Sequence, residues 1–238
     1  MNYIGLDLSL TSTGMIIESK NKNLLFNYTT KSLDYVWIKE VRNLINFRHH
    51  DLVKRDSYSE NEITKLKNYD EITNNIIKDI LNNINIKDKT IIGIEGYSYR
   101  SLTSSVIDII GYSTLMRIKL LNIPNLEKIT IIAPTSLKKD TSVSVYGYLP
   151  PEISKKTGKP LKDQKITQNN NGVAGGSFEK IDMMQALLDS DVNINIKDYL
   201  KTSIKQISNM SSVPKPWDDL IDSFWAKEYI KRKFLVHI

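Results

Sequence analysis

The chain has no cysteine at all. Disulfides, thiolate zinc sites and a cysteine nucleophile are thereby excluded, which fits a reducing compartment. Histidine is nearly as scarce, three in 238 residues, and His49 and His50 stand in a charged stretch with no ligand spacing around them. No apolar run approaches the roughly 20 residues needed to cross a bilayer. The first residues, Met1 to Asp7, place an acid inside the first apolar stretch and lack the basic-then-apolar pattern of a secretion signal. A soluble, cytoplasmic protein is therefore expected. Internal repeats, a Walker-type Gly-rich loop and a dinucleotide fingerprint are also missing.

What is present leans basic. Lys+Arg number 33 against 27 Asp+Glu, a net charge of +6, which favours polyanionic partners without identifying DNA. The abundance of Ile, Asn and Lys is what an AT-rich genome, bacterial or viral, would encode. The length is compatible with one enlarged domain spanning residues 1–238.

Short β-branched or apolar runs at 2–8, 14–18 and 23–29, separated by polar breaks, predict three neighbouring antiparallel strands. Residues 62–84 carry Ile63, Leu66, Ile72, Ile76, Ile77, Ile80 and Leu81 at helical spacing. Thr90 to Glu95 is an apolar run too short for a helix and reads as a strand covered on both faces, ending in a carboxylate. A helix over 103–121, a strand over 129–133 stopped by Pro134, a helix over 181–188 and a final amphipathic helix over 217–234 follow. Residues 140–176 and 190–215 read as polar or irregular. This order implies an α/β fold, a mixed sheet covered by helices.

Acids fall where elements end: Asp7 on the first strand, Glu95 on the fourth, Asp219 and Asp222 on the last helix. An acid within an apolar strand is costly to bury unless it is paired or binds a metal. Taken singly, Asp7 could be a turn residue and Glu95 a salt-bridged strand end. Positions 219 and 222 project from one side of a helix, and the small Ala226 on that side would let it approach the sheet. Together the four acids predict a site for Mg2+, with Mn2+ able to substitute, in which two ions activate water and stabilise the leaving oxygen. Asp218, after Pro216, reads more simply as a first-turn acid favoured by the helix dipole. Clustered carboxylates should also repel, so a cation should stabilise the fold.

The run Ile4-Gly5-Leu6-Asp7-Leu8-Ser9-Leu10-Thr11-Ser12-Thr13-Gly14 resembles the opening of RuvC-type Holliday junction resolvases, members of the ribonuclease H-like superfamily. Ile94-Glu95 followed by Gly96-Tyr97-Ser98-Tyr99 is similar to that family's catalytic Glu strand end. Ala133-Pro134-Thr135-Ser136-Leu137-Lys138-Lys139 looks like its Pro-Ser and Lys stretch, and Asp219 to Asp222 like its final Asp-x-x-Asp helix. The match covers about two thirds of the chain and departs from the family at insertions near 30–61 and 140–176. The resemblance implies a five-stranded mixed sheet flanked by helices. It also implies a homodimer, with helix 103–121 a candidate interface, that nicks four-way DNA junctions symmetrically at Asp7, Glu95, Asp219 and Asp222. Tyr97 and Tyr99 would stack on bases or pack in the core, and Lys138, Lys139 and Lys180 would contact DNA, with Lys156-Thr157-Gly158 a competing match for the last.

Three other functions compete. A nuclease of the same fold could prefer flaps or RNA–DNA hybrids, and a scaffold could bind junctions without cutting them. An actin- or sugar-kinase-type ATP-binding fragment would need a second acidic phosphate loop and a Gly-rich adenosine segment, and the sequence shows neither. The lysines at 155, 156, 159, 162 and 165 could track a DNA backbone or simply be solvated. The Trp residues are expected to pack in the core or an interface.

Overall fold

In the computed structural model, which describes residues 1–96, 104–147, 157–158, 178–210 and 212–235, the first three apolar segments form an antiparallel meander. It consists of β1 (Asn2–Asp7), β2 (Ser12–Ser19) and β3 (Lys22–Thr29). Lys20 and Asn21 close the β2–β3 hairpin with φ of 50° and 61°. Two positive φ angles give the turn a twist that matches the flanking strands. A short strand β4 (Asn46–His49) pairs parallel with β3, while β5 (Thr90–Glu95) runs parallel to β1 and β6 (Leu126–Ile132) parallel to β5.

The sheet order is β4-β3-β2-β1-β5-β6, six strands where the sequence predicts five. The added strand has no apolar alternation to announce it, since Asn46, Arg48 and His49 are exposed. Main-chain pairing holds it to β3, helped by the Arg48 guanidinium, which donates to both oxygens of Asp79 at 3.0 and 3.1 Å.

The chain divides into two compact units. One comprises Met1–Pro134 with Pro214–Ile238 and contains the sheet, the short helix α1 (Val36–Lys39), α2 (Tyr58–Asn83) and α3 (Ser104–Leu120). The other, Thr135–Val213, takes in all but the first residue of α4 (Pro134–Tyr146), then α5 (Lys180–Asp189) and α6 (Lys197–Ser208). The chain then returns to the first unit as α7 (Trp217–Leu235). Two helices lie in stretches that read as polar or irregular. Proline at the first position of α4 suits a helix start, because its missing N–H would have no partner there. Ile196, Leu200 and Ile207, all buried, mark the inner face of α6.

Alternation gives the sheet two unlike faces. Ile4, Leu6, Met15, Ile17, Ile92 and Ile94 point to one side, where Ile72, Ile76 and Ile80 of α2 and Tyr112, Met116 and Leu120 of α3 cover them. Burying each such side chain fully contributes about 1.5–3 kcal/mol. The Ser57 hydroxyl accepts from the Glu60 N–H at 3.3 Å and caps α2, so that helix starts several residues ahead of its apolar periodicity.

The opposite face carries glycine where the first carries Ile and Leu, and α7 lies on it. A Cβ on Gly5 would collide with the Ser223 carbonyl oxygen, one on Gly14 would sit 2.5 Å from the Asp219 carbonyl oxygen, and one on Gly93 2.7 Å from that of Ala226. Side chains there would hold the helix away. From Trp217 to Glu228 every α7 residue except Asp218 is buried, more than an amphipathic stripe requires. Trp37, Trp217 and Trp225 are all buried, as expected of packing residues. Among the described residues no helix is long and apolar enough to cross a membrane.

Candidate metal centre

Gly5 of β1 pairs with Gly93 of β5 in a parallel register, so Asp7 and Glu95, each two residues further on, emerge at the same end of the sheet and on the glycine face. That is the face on which α7 lies. Asp222 is brought down to them, and ligand oxygens of Asp7, Glu95 and Asp222 all fall within 4.8 Å of one another. Asp222 is 2 % exposed, while Asp7 and Glu95 are half-buried. Hard carboxylate oxygens at this spacing fit a hard divalent cation such as Mg2+, which takes one or two carboxylates directly and keeps several waters. The three acids could hold a metal ion.

The turn after Asp7 is fixed from below. Thr13 Oγ1 accepts from the Ser9 N–H at 3.1 Å and donates to the Ser9 carbonyl at 2.7 Å. Its only hydrogen is thus used, and the Tyr112 hydroxyl, 3.0 Å away, is left to donate to it. Tyr112 is fully buried, and burial first, then the nearby Asp7 carboxylate, push its phenol up. From the β4 side His50 donates through Nε2 to the Leu10 carbonyl at 3.0 Å, and burial holds its imidazole below the ordinary value. The role of His50 is to brace this turn.

The fourth acid of the sequence reading, Asp219, is not part of the three-acid cluster. One of its oxygens accepts from Ser12 Oγ and the other from Lys215 Nζ, at an exposure of 1 %. Asn27 Nδ2 donates in turn to Ser12 Oγ at 3.2 Å, so a chain of polar contacts ties the first turn of α7 to β2 and β3. Lys215 also reaches Asp218 at 2.9 Å. Burial pushes the Asp219 carboxyl up to about 6 against the downward pull of Lys215 and Ser12. For Lys215, burial disfavours the ammonium, but Asp219 and Asp218 outweigh it and hold its pKa above the ordinary value.

Ser12, Asn27, Thr13, Tyr112 and Lys215 are the supporting residues that sequence reasoning leaves out. The Lys215-x-x-Asp218-Asp219 spacing was the available signal. Tyr97 and Tyr99 lie outside the described residues, as does Lys156 of the competing match. Lys138, Lys139 and Lys180 belong to the second compact unit: Lys138 is 3.7 Å from Glu179, Lys139 is exposed and Lys180 opens α5. His49 contacts the Lys31 carbonyl and Asp51, with no acid cluster around it among the described residues.

Compared with models of known protein families and with curated proteins, the chain matches none.

Proposed function

We propose that the chain is a Mg2+-dependent endonuclease of the ribonuclease H-like fold, related to RuvC-type resolvases and acting on branched DNA inside the cell. The convergence of Asp7, Glu95 and Asp222 carries this reading. Three acids far apart in sequence meet at one sheet end, on the face where three glycines let α7 approach closely, an expensive arrangement for a protein with no use for a cation. Without its edge strand β4 the sheet has the five strands that the resemblance implies.

Asp7, Glu95 and Asp222 would hold the ion, and Mn2+ should replace Mg2+. Bound there, the ion supplies the positive charge that activates water and offsets charge building on the phosphate. The chain's own part is to orient: the glycine floor sets the depth of Asp222, and the Tyr112–Thr13–Ser9 contacts fix the turn beyond Asp7. Lys138, Lys139, Lys180 and the tyrosines Tyr97 and Tyr99 are the proposed DNA contacts. A homodimer on a two-fold junction is the proposed assembly. In its favour, Ile107 and Ile118 of α3 are 74 % and 55 % exposed, an apolar surface suited to a two-fold contact.

The test is cleavage of labelled four-way junction, flap, duplex and RNA–DNA hybrid with Mg2+, comparing wild type with Asp7→Asn and Glu95→Gln. Paired symmetric nicks in the junction, lost in both variants, are expected. Preference for flap or hybrid would keep the site and change the substrate. Tight junction binding without cleavage would replace the nuclease reading with a scaffold.

A further inference from the structure

The sequence leads one to expect four acids around two ions, yet the acid at position 219 is already neutralised from within the chain. We propose that Lys215 is the centre's built-in second cation, so that the chain binds one divalent ion, on Asp7, Glu95 and Asp222, and not two. The inference rests on the metal-centre reading above.

Three observations carry it. Both carboxylate oxygens of Asp219 are engaged, one by the Lys215 ammonium and one by the Ser12 hydroxyl, and the residue is buried. A second ion using Asp219 would have to displace both partners, and Mg2+ demands near-octahedral geometry and sheds water reluctantly. One ammonium also serves Asp218 and Asp219 together, three and four residues further along the chain. A lysine is a compact point charge with several donors, suited to standing where a cation would otherwise be needed. Lastly, Ser12 is held by Asn27, so the carboxylate is anchored to the sheet as well as to the lysine. Asp219 thus acts as a positioning residue that ties α7 to β2 and keeps Asp222 at the depth of Asp7 and Glu95.

The experiment counts Mn2+ bound per chain by calorimetry, with free Mn2+ followed by electron paramagnetic resonance, near pH 8 so that the carboxylates are ionised. Wild type should bind one ion. Asp222→Asn should weaken that binding by about 100-fold or more, while Asp219→Asn, which only loosens the position of Asp222, should keep one ion and weaken it by about tenfold. Lys215→Met should bind two. Two ions on wild type, or equal losses in Asp219→Asn and Asp222→Asn, would overturn the assignment of Lys215 and leave the metal centre standing. No ion on wild type would overturn the metal centre itself, and this inference with it. If Lys215→Met does not fold, judged by circular dichroism, the wild-type and Asp219→Asn counts decide.

Discussion

Helix α7 carries buried charge in both of its halves, and the halves treat it in opposite ways. In the C-terminal half Lys227, with no exposed surface, donates to Glu18 at 2.9 Å and to Asn23 at 2.8 Å and forms an ion pair with Glu228 at 2.7 Å, and Lys231 supplies a second cation to Glu18. The ammonium groups of Lys227 and Lys231 there face the carboxylates of Glu18 and Glu228, two charges against two. In the N-terminal half, Asp222 joins two other acids with ligand oxygens within 4.8 Å. Two ionised carboxylates about 5 Å apart repel by roughly 3 kcal/mol at an effective dielectric of about 20. The first arrangement keeps a buried charge tolerable by pairing it. The second brings like charges together, a repulsion that a bound cation would relieve.

The largest expected effect breaks the paired half. Lys227→Met removes one partner of a buried network and leaves Glu18 and Glu228 short of positive charge, so it should cost about 3–5 kcal/mol in urea unfolding. A loss below about 1 kcal/mol would mean that the network is no more than a screened surface cluster. The floor beneath both halves comes next. Gly5→Ala puts a methyl group against the Ser223 carbonyl oxygen, where helix backbone and not a flexible side-chain end must yield, and about 3 kcal/mol should be lost. At Gly111 an added Cβ would approach nothing nearer than 3.6 Å, so Gly111→Ala, in the middle of α3, should be neutral or stabilising. Equal effects at the two positions would show that α7 can shift on the sheet.

Much of this was readable in the sequence, and the parts that were not have a common cause. Asp7 and Glu95 stood out because an acid ending an apolar strand needs an explanation, and Ala226 because a small residue on the acid side of the helix permits close approach. Both features lie within a single segment. The glycine floor was invisible although Gly5, Gly14 and Gly93 are plain in the sequence, because only the strand register aligns them beneath one helix. The partners of Asp219 were hidden for the same reason. Helical spacing puts it on the side of Asp222, but its partner Ser12 lies 207 residues away, and spacing says nothing about which oxygen finds which donor. Strand β4 escaped because main-chain pairing leaves no mark on side-chain pattern. Helix α6 should have been found, since Ile196, Leu200, Ile204 and Ile207 follow helical spacing between polar residues.

A smaller effect of opposite sign sharpens the contrast between the halves. Asp222→Asn removes one of three like charges while keeping shape and volume, so the metal-free protein should gain about 1–2 kcal/mol and lose its response to Mg2+. Thermal unfolding with and without the cation reads both. Destabilisation by this variant in the absence of metal would show that the contacts of Asp222 outweigh the repulsion among the three acids.

The two halves should also titrate in opposite senses, which the pH profile reads. Burial raises the Glu18 carboxyl, but Lys227 and Lys231 outweigh it and leave the folded pKa below the ordinary value of 4.5. Stability from Glu18 is therefore full above the unfolded pKa and lost as pH falls through the lower folded one. Solvent screening limits it to about 1 kcal/mol. Asp219 is raised from 3.8 to about 6, so its contribution is full below pH 3.8 and declines as pH rises through 6. Glu18→Gln should flatten the acid side of the profile below about pH 4.5 and leave the region near pH 6 alone, and Asp219→Asn should do the reverse. If both variants flattened the same limb, the pairing of Asp219 with Lys215 would outweigh its burial, as Lys227 and Lys231 outweigh that of Glu18, and the division of α7 into a stabilising half and a strained half would have to move closer to Asp222.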